Sequence, residues 1–209
     1  HAKITFMKKI KFIYFDLGGV LIDHISSLKK IALELNISEE ETINLFQKYG
    51  DDIDRGTLSW ENFEDIFYKK LNPQYKLKSS LHESFVENFI IIQKTHDFIN
   101  EIKEKIDIGI LSNNSGEIFD MIQSKKIIPD INYKSIVISA KIDVIKPEKE
   151  IYDYAIDQIS FNPNEVLFID DKEENVNAAR SFGWNSIVFD TQKPAESVDR
   201  IKEYLADNS

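Results

Sequence analysis

A carboxylate followed by a glycine turn is the first feature of this sequence that could do chemistry. Asp16 directly follows the apolar run Phe12–Phe15 and is followed by Gly18 and Gly19. At the carboxyl end of a buried parallel strand, Asp16 would lie on the sheet edge where ligands bind. The two glycines would let the next peptide groups curl round a small anion or present a carbonyl to a metal ion. The same residues also suit an ordinary strand end and turn, so this segment alone leaves both interpretations open.

Two further polar groups stand beside predicted elements. Ser112 and Asn113 come after the strand-like run Ile106–Leu111, and a hydroxyl and an amide ahead of a helix are typical of an anion site. Lys146 stands just before Pro147, which suits the first turn of a helix. A cap-rich loop and a surface lysine would look the same, so each signal is weak by itself.

Two adjacent acids, Asp170 and Asp171, follow the apolar run Val166–Ile169. Adjacent acids are common helix caps. Carboxylates that share a sheet edge with Asp16 also suit a hard cation such as Mg²⁺. Because the chain has a net charge of -10, we expect a bound cation or a nearby lysine side chain to neutralise any phosphate that it binds.

The elements that must position these residues alternate between strand and helix. The predicted strands are Lys11–Phe15, Ile106–Leu111, Ser135–Ile138, Val166–Ile169 and Ser186–Phe189. The predicted helices between them include Ile118–Ser124, Glu148–Ile159 and Glu173–Phe182, the last ending at Gly183. This alternation predicts an α/β fold with right-handed crossovers and a Rossmann-like parallel sheet, with the polar clusters at its carboxyl edge.

The segment from about residue 24 to residue 92 has a helical pattern throughout. Ser38, Ser59 and Ser80 each stand where a side chain can cap a following helix. An all-helical stretch after the first strand predicts an inserted helical cap over the carboxyl edge of the sheet. The predicted domains are a discontinuous core of residues 7–20 and 93–209 and a helical cap of residues 21–92.

Composition excludes several classes of function. The 209 residues are 42% hydrophobic and 30% charged, as in a globular protein. With 26 basic and 36 acidic residues the net charge is -10, which argues against a nucleic-acid or anionic-membrane partner. The absence of Cys excludes disulfides and thiol chemistry and is compatible with the cytoplasmic location that we expect. We also expect the natural chain to begin at Met7.

The four polar clusters, taken together in their order along the chain, are a far more specific sign of a protein family than any one of them. The chain resembles the haloacid dehalogenase (HAD) superfamily, in the subgroup with an inserted helical cap. The resemblance extends over nearly the whole chain. The matching segments are FDLGGVL at Phe15–Leu21, ILSNN at Ile110–Asn114, the pair Lys146–Pro147, and FIDDKEENVNAARSFGW at Phe168–Trp184.

The resemblance implies catalytic roles for three residues. Asp16 matches the nucleophile that attacks a phosphoryl group and forms an aspartyl-phosphate. Ser112 matches the hydroxyl that hydrogen-bonds the phosphoryl oxygens, with help from backbone amides near Asn113. Lys146 matches the lysine that offsets the charge between nucleophile and phosphoryl group.

The resemblance also implies a Mg²⁺ site. The implied ligands are the carboxylates of Asp16, Asp170 and Asp171 and the main-chain carbonyl of Gly18. Mg²⁺ keeps several waters, so this small protein set is sufficient. We therefore predict a Mg²⁺-dependent phosphatase that hydrolyses a small phosphorylated metabolite, such as a sugar phosphate, through an aspartyl-phosphate.

Gly18 departs from the family pattern, because most phosphatases of the family carry a second Asp there as general acid and base. Three consequences remain open. The substrate has a better leaving group, or Asp23 or His24 takes over proton transfer, or turnover is lost. A smaller departure is Asp143, where the family often has Gly.

Two alternative functions follow from the same residues. A 2-haloacid dehalogenase also uses a nucleophilic Asp and needs no second acid, so Gly18 is compatible with it. It would not need the metal ligands that Asp170 and Asp171 resemble. A non-catalytic regulatory protein that binds phosphorylated ligands is the other alternative.

The cap should select the substrate. Asp54–Gly56 is predicted to be a loop between cap helices, from which Arg55 could reach a substrate oxyanion. A surface arginine beside a turn is equally consistent with this pattern. Trp60, Phe63 and Phe67 recur at helical spacing, which favours a role in the core of the cap over a ligand-binding role.

Overall fold

A five-stranded parallel sheet forms the centre of the structure, a computed structural model that describes residues 10–208. The strands are β1 (Phe12–Phe15), β2 (Ile22–Asp23), β3 (Ile90–Ile91), β4 (Asp107–Ser112), β5 (Ser135–Ile138), β6 (Val166–Asp170) and β7 (Asn185–Val188). The main sheet has the order β5-β4-β1-β6-β7, and all of its pairs are parallel. The predicted α/β fold with a parallel sheet is confirmed.

Helices surround this sheet, and serine caps begin several of them. The helices are α1 (Ile25–Leu35), α2 (Glu39–Arg55), α3 (Trp60–Leu71), α4 (Leu81–Glu87), α5 (Gln93–Ile102), α6 (Gly116–Ser124), α7 (Lys149–Asp157), α8 (Glu173–Ser181) and α9 (Pro194–Asp207). Ser38, Ser59 and Ser80 each accept a hydrogen bond from the third backbone N–H of the helix that follows, as predicted.

The central strand β1 is buried on both faces. Ile13 and Phe15 pack into one hydrophobic cluster, whereas Phe12 and Tyr14 pack into the other. The Tyr14 hydroxyl donates to the Ala155 carbonyl at 2.8 Å, so its polar tip is satisfied in the interior. Burial on both faces explains the continuous apolar run, and it places the end of β1 at the middle of the carboxyl edge.

Helices α1 to α4 pack against one another on the side of that edge. A short antiparallel pair, with Ile22 opposite Ile91 and Asp23 opposite Ile90, joins the chain where it enters and leaves these helices. The helical pattern gave no sign of this pair, because two residues are too few to show a strand period. The division into domains at residues 21 and 92 stays a prediction, and Met7 with residues 7–9 and 209 lies outside the described residues.

Two local expectations were wrong. Asp54–Gly56 is not a loop, because α2 continues through Arg55 and ends at Gly56, whose φ of 79° is left-handed. Pro147 is not in the first turn of α7, which begins two residues later at Lys149. Within residues 10–208, no helix is both long enough and apolar enough to cross a bilayer.

Candidate active site

Four polar side chains meet at the carboxyl edge of the main sheet. Asp16 follows β1, Ser112 ends β4, Asp170 ends β6, and Lys146 comes from the loop before α7. The ammonium of Lys146 lies 3.0 Å from Oδ1 of Asp16 and 2.6 Å from Oδ2 of Asp170. It also donates to the Leu111 carbonyl at 3.0 Å. Lys146 is only 3% exposed and Asp170 is 0% exposed, so the lysine is fixed between two carboxylates in the interior.

The negative charges of Asp16 and Asp170 are neutralised by the adjacent Lys146 ammonium rather than by solvent. Burial raises the pKa of the Asp16 carboxyl, Lys146 opposes that rise, and Asp170 adds to it. Burial alone would lower the pKa of Lys146, but the two carboxylates raise it above its usual value. Lys146 therefore stays protonated at neutral pH, beside a carboxylate that water solvates poorly.

Three carboxylates form a cluster suited to a metal ion. Asp16, Asp170 and Asp171 each offer one oxygen, and these oxygens lie within 4.8 Å of one another. Burial, together with the charges of Asp16 and Asp170, raises the pKa of Asp171 to about 7. Lys146 offsets one of the three negative charges, so the donor set fits a divalent cation in charge and in ligand type.

Gly19 keeps the third carboxylate of this cluster in place. Its φ of 75° is left-handed, and any Cβ there would overlap the Asp171 carboxyl. The Thr191 hydroxyl donates to the Gly19 carbonyl at 2.6 Å and holds the turn. The structure therefore gives Gly19 a defined role beside the carboxylate cluster, since a larger residue would displace Asp171.

Asn113 fixes the backbone of Lys146. Its side-chain amide donates to the Lys146 carbonyl at 2.9 Å, and its side-chain oxygen accepts from the Lys146 N–H at 2.7 Å. The Ser112 hydroxyl is buried and donates to the Asn113 carbonyl at 3.5 Å, a long contact. Through these two bonds the Asn113 side chain positions Lys146, and binding of phosphoryl oxygens by Ser112 and nearby amides stays a prediction.

The imidazole of His24 fills the space beside Gly18. A Cβ at position 18 would lie 3.0 Å from Nδ1 and 3.1 Å from Cε1 of that ring. Burial lowers the pKa of His24 to about 4, although Asp23 opposes this effect. Its Nδ1 is buried without a hydrogen-bond partner among the described residues. A neutral imidazole thus stands against the position where most phosphatases of the resembled family carry an acid.

A cavity of about 350 Å³ lies between helices α1 to α4 and the sheet edge. Its polar lining includes the side chains of His24, Asp54, Asn113 and Lys172, and Gly18 also lines it. Its apolar wall includes Phe46, Trp60, Phe85 and Phe89. The volume suits a small organic group beside Gly18.

A family model of haloacid dehalogenase-like hydrolases matches residues 13–189. The chain belongs to this family. This HAD-like hydrolase is 25% identical over 208 residues to a D-ribitol-5-phosphate phosphatase from Bacteroides thetaiotaomicron, a match that covers 93% of the chain and 96% of the relative. The resemblance predicted from the four motifs is therefore confirmed.

Other similarities are more partial. Bifunctional epoxide hydrolase 2 from Rattus norvegicus is 32% identical over 71 residues, which are 34% of this chain and only 13% of that relative. A solved structure of a HAD family enzyme from Bacteroides thetaiotaomicron, in complex with magnesium and inorganic phosphate, has a TM-score of 0.65 and 22% identity. That match covers 86% of this chain and 94% of the other and shows a shared fold.

Asp23 does not face the cavity of this HAD-like hydrolase. Its two carboxylate oxygens accept from the Ser26 N–H at 3.0 Å and from the Ser26 hydroxyl at 2.5 Å. Partial burial would raise the pKa of Asp23, but these bonds lower it below the usual value. Asp23 is thus held as an ionised cap of α1, which does not fit the expected role in proton transfer.

Arg55 is likewise placed away from the cavity. Its guanidinium pairs with the Glu148 carboxylate, and it donates to the Asp143 carbonyl at 3.3 Å. The expected contact with substrate is replaced by a link between α2 and the loop before α7. Asp143 has a φ of 56°, which explains why Gly is common there in the resembled family.

The aromatic residues of α3 divide between two roles. Phe63 and Phe67 are fully buried in the larger hydrophobic cluster, as their spacing predicted. Trp60 is also in that cluster, but it lines the cavity and donates to the Ser115 hydroxyl at 2.9 Å.

Sequence reasoning missed three residues of the site. The Asn175 amide donates to both oxygens of Asp170, at 3.0 and 3.1 Å, and orients that carboxylate. Asp54 and Lys172 line the cavity. Asn175 and Lys172 lie within the fourth matching segment, so a closer reading of that motif could have found them. Asp54 is adjacent to Arg55, the residue of this segment that was predicted to bind substrate.

Proposed function

We propose that this HAD-like hydrolase is a Mg²⁺-dependent phosphatase that cleaves a small phosphate monoester. The observation that carries the proposal is the Lys146 ammonium held between Asp16 and Asp170, next to Asp171. A carboxylate nucleophile and a phosphoryl dianion repel each other, and fixed positive charge removes that barrier. The phosphatase relative, and the neighbour that binds magnesium and phosphate, support the same chemistry.

The chemistry proceeds in two displacements. A carboxylate oxygen of Asp16 bonds to phosphorus while the bond to the ester oxygen breaks, and that oxygen takes a proton from a general acid as the alcohol leaves. Water then attacks phosphorus and gives its proton back to the same group, now a base, while the bond to Asp16 breaks to release phosphate. Ser112 and nearby amides bind the non-bridging oxygens, while Lys146 remains charged beside the nucleophile throughout.

The residues that would hold Mg²⁺ are Asp16, Asp170, Asp171 and the Gly18 carbonyl. When bound, the ion supplies positive charge to the phosphoryl oxygens. Asn175 and Lys146 keep Asp170 oriented in either case, since both hydrogen-bond its carboxylate.

Mg²⁺ should stabilise the protein through this cluster. At a free Mg²⁺ concentration of about 100 times its Kd, we expect a gain of about 2.7 kcal/mol in the free energy of unfolding relative to EDTA. Asp171→Asn should lose most of this gain. Asp130→Asn, a matched change in a side chain that is 80% exposed, should keep it. Thermal and urea unfolding measure both, and equal gains in the two variants would exclude Asp171 as a ligand.

Phosphate release from a panel of sugar, acyl and aryl phosphates tests the function directly. We expect release with Mg²⁺ and none with EDTA. Halide release from a 2-haloacid in EDTA would instead support a dehalogenase. Tight binding of a phosphorylated compound without release would support a regulatory protein.

Restoring the missing acid should require two substitutions. Gly18→Asp alone brings the new side chain against His24, so we expect no gain in rate. Gly18→Asp combined with His24→Ala removes the obstruction. In a background that also carries Asp54→Asn, which removes the half-buried carboxyl of the cavity wall, this double change should raise the rate on alkyl phosphates by up to about 10²-fold over His24→Ala in the same background. Steady-state kinetics of these variants decide this, and a variant with Gly18→Asp that is no faster than its counterpart without it would show that an acid at position 18 does not serve the leaving group.

A further inference from the structure

We propose that Asp54, at the end of α2, is the acid and base that serves the leaving group in place of the residue missing at position 18. This role presupposes the proposed phosphatase activity and adds a catalytic residue that no motif match supplies.

The position of Asp54 fits this role. Its half-buried side chain lines the cavity, as do Gly18 and Lys172, and it is close enough to Asp16 and Lys146 for their charges to act on it. Gly18 is two residues from the nucleophile Asp16, so the ester oxygen of a bound substrate would lie beside Gly18. Asp54 therefore faces the leaving group from α2, whereas the family acid would face it from the strand end.

The backbone of Asp54 is fixed to the sheet edge. The Ser139 hydroxyl donates to the Asp54 carbonyl at 2.5 Å, and Oγ of Ser139 in turn accepts from the Asn114 N–H at 2.9 Å. The ion pair of Arg55 with Glu148 secures the next residue. These bonds join the end of α2 to the segment after β5 and, through Ser139, to the loop after β4, so the backbone of Asp54 is fixed beside the strand ends.

The electrostatic surroundings suit proton transfer near neutral pH. The charged groups that act on Asp54 are Lys172, Asp16, Asp51 and Lys146. Burial is the largest influence and raises the pKa of Asp54 to about 7, with Asp16 and Asp51 adding to the rise and the two lysines opposing it. A group with a pKa near the working pH is effective both as acid and as base.

Other candidates near the cavity fit less well. Asp23 is held ionised by Ser26 and is not among the residues that line the cavity. His24 is neutral at neutral pH, because burial lowers its pKa to about 4, so it carries no acidic proton of suitable strength. Asp51 also lines the cavity but is exposed. Asp54 is the cavity-lining carboxyl that is both partly buried and fixed by its backbone.

The proposed proton transfers balance over a turnover. As the bond from phosphorus to the ester oxygen breaks, the Asp54 carboxyl gives its proton to that oxygen and the alcohol leaves neutral. The Asp54 carboxylate then takes a proton from the water that attacks the aspartyl phosphate. Phosphate leaves, and Asp16 and the protonated Asp54 are both regenerated.

Leaving-group dependence tests this role. With an alkyl phosphate, whose alkoxide needs a proton, Asp54→Asn should lower kcat/KM by about 10² to 10⁴-fold. With p-nitrophenyl phosphate, whose phenolate leaves unaided, we expect a loss of kcat/KM below about 10-fold, because the later water step that uses Asp54 follows phenolate release and does not enter kcat/KM. The fall in kcat/KM for the alkyl ester above about pH 7 should also disappear. Asp52→Asn, at an exposed residue of the same helix that does not line the cavity, should change the kcat/KM of neither ester.

Several outcomes would overturn the role. Equal losses of kcat/KM on both esters, or no loss on the alkyl ester, would show that Asp54 does not serve the leaving group. Phosphate release by the wild type would still support the proposed phosphatase function in that case. If the wild type releases phosphate from neither ester with Mg²⁺, the proposed function itself fails, and this role with it. Asp54→Ser repeats the comparison if Asp54→Asn does not fold, and it should show the same difference between esters.

Discussion

Asp16→Asn should reduce kcat for phosphate release by at least about 10⁴-fold while the protein remains folded. The amide cannot attack phosphorus as a carboxylate does, so no covalent intermediate forms. Binding and charge stabilisation at Lys146 and the cation site then leave only a small residual rate.

Stability separates this loss from unfolding. The Asp16 carboxyl is buried, its pKa is raised, and it is repelled by Asp170. An amide of the same shape removes that repulsion, and Lys146 keeps its 2.6 Å contact with Asp170. We therefore expect the free energy of unfolding in EDTA to change by less than about 1.5 kcal/mol, within the usual range for single substitutions.

Kinetics and urea unfolding of the same samples measure both quantities. Asp130→Asn provides the control for the chemical change alone, since its carboxylate is exposed and pairs with Lys126 rather than with Lys146. Near-normal phosphate release by Asp16→Asn would exclude Asp16 as the nucleophile. A large loss of stability would make the kinetic result ambiguous, and Asp16→Ser would then be compared.

Lys146→Met should abolish activity and also destabilise the protein by about 3 to 5 kcal/mol. Methionine keeps most of the apolar stem but leaves the buried carboxylates of Asp16 and Asp170 without their shared cation. Breaking a buried ion pair from one side has this large cost because an uncompensated charge stays in the interior.

The pH dependence of that variant has a definite sign. Without Lys146, the Asp16 carboxyl loses the cation that opposes its raised pKa, so that pKa should rise further above the unfolded value. The folded state then binds more protons than the unfolded state at intermediate pH, so stability should increase as the pH falls from 7 toward 5. The wild type should show a smaller change over this interval, because Lys146 favours the ionised carboxylate.

Urea unfolding in EDTA at several pH values checks both statements. Lys149→Met removes a lysine that is 57% exposed and pairs with Asp153, so it should cost less than about 1 kcal/mol. A loss of the same small size in Lys146→Met would show that the pair with Asp16 and Asp170 contributes little to folding.

The sequence predicted those parts of the site that depend on local pattern. Asp16, Ser112 and Asp170 come at the ends of apolar runs, and parallel strands bring such ends to one edge, so their proximity followed from the order of elements. The serine caps were predicted for the same reason, since a capping residue and its helix are adjacent in the chain.

Contacts between distant segments could not be read in this way. Arg55 pairs with Glu148, 93 residues away. The residues next to each of them in the sequence give no indication that the end of α2 contacts the loop before α7. Asp54 was overlooked because its proximity to the catalytic edge depends on the bond between its carbonyl and Ser139. The obstruction of position 18 by His24 likewise depends on how α1 enters the fold.

Trapping the covalent intermediate tests the central claim most directly. Enzyme with Mg²⁺ and an active ester is quenched in acid during turnover and reduced with borohydride, which converts an aspartyl phosphate to homoserine. Peptide mass mapping should find homoserine at position 16, at none of the other aspartates, and not in Asp16→Asn. Steady phosphate release with unmodified Asp16, or homoserine at another position, would contradict the assignment of Asp16 as the nucleophile.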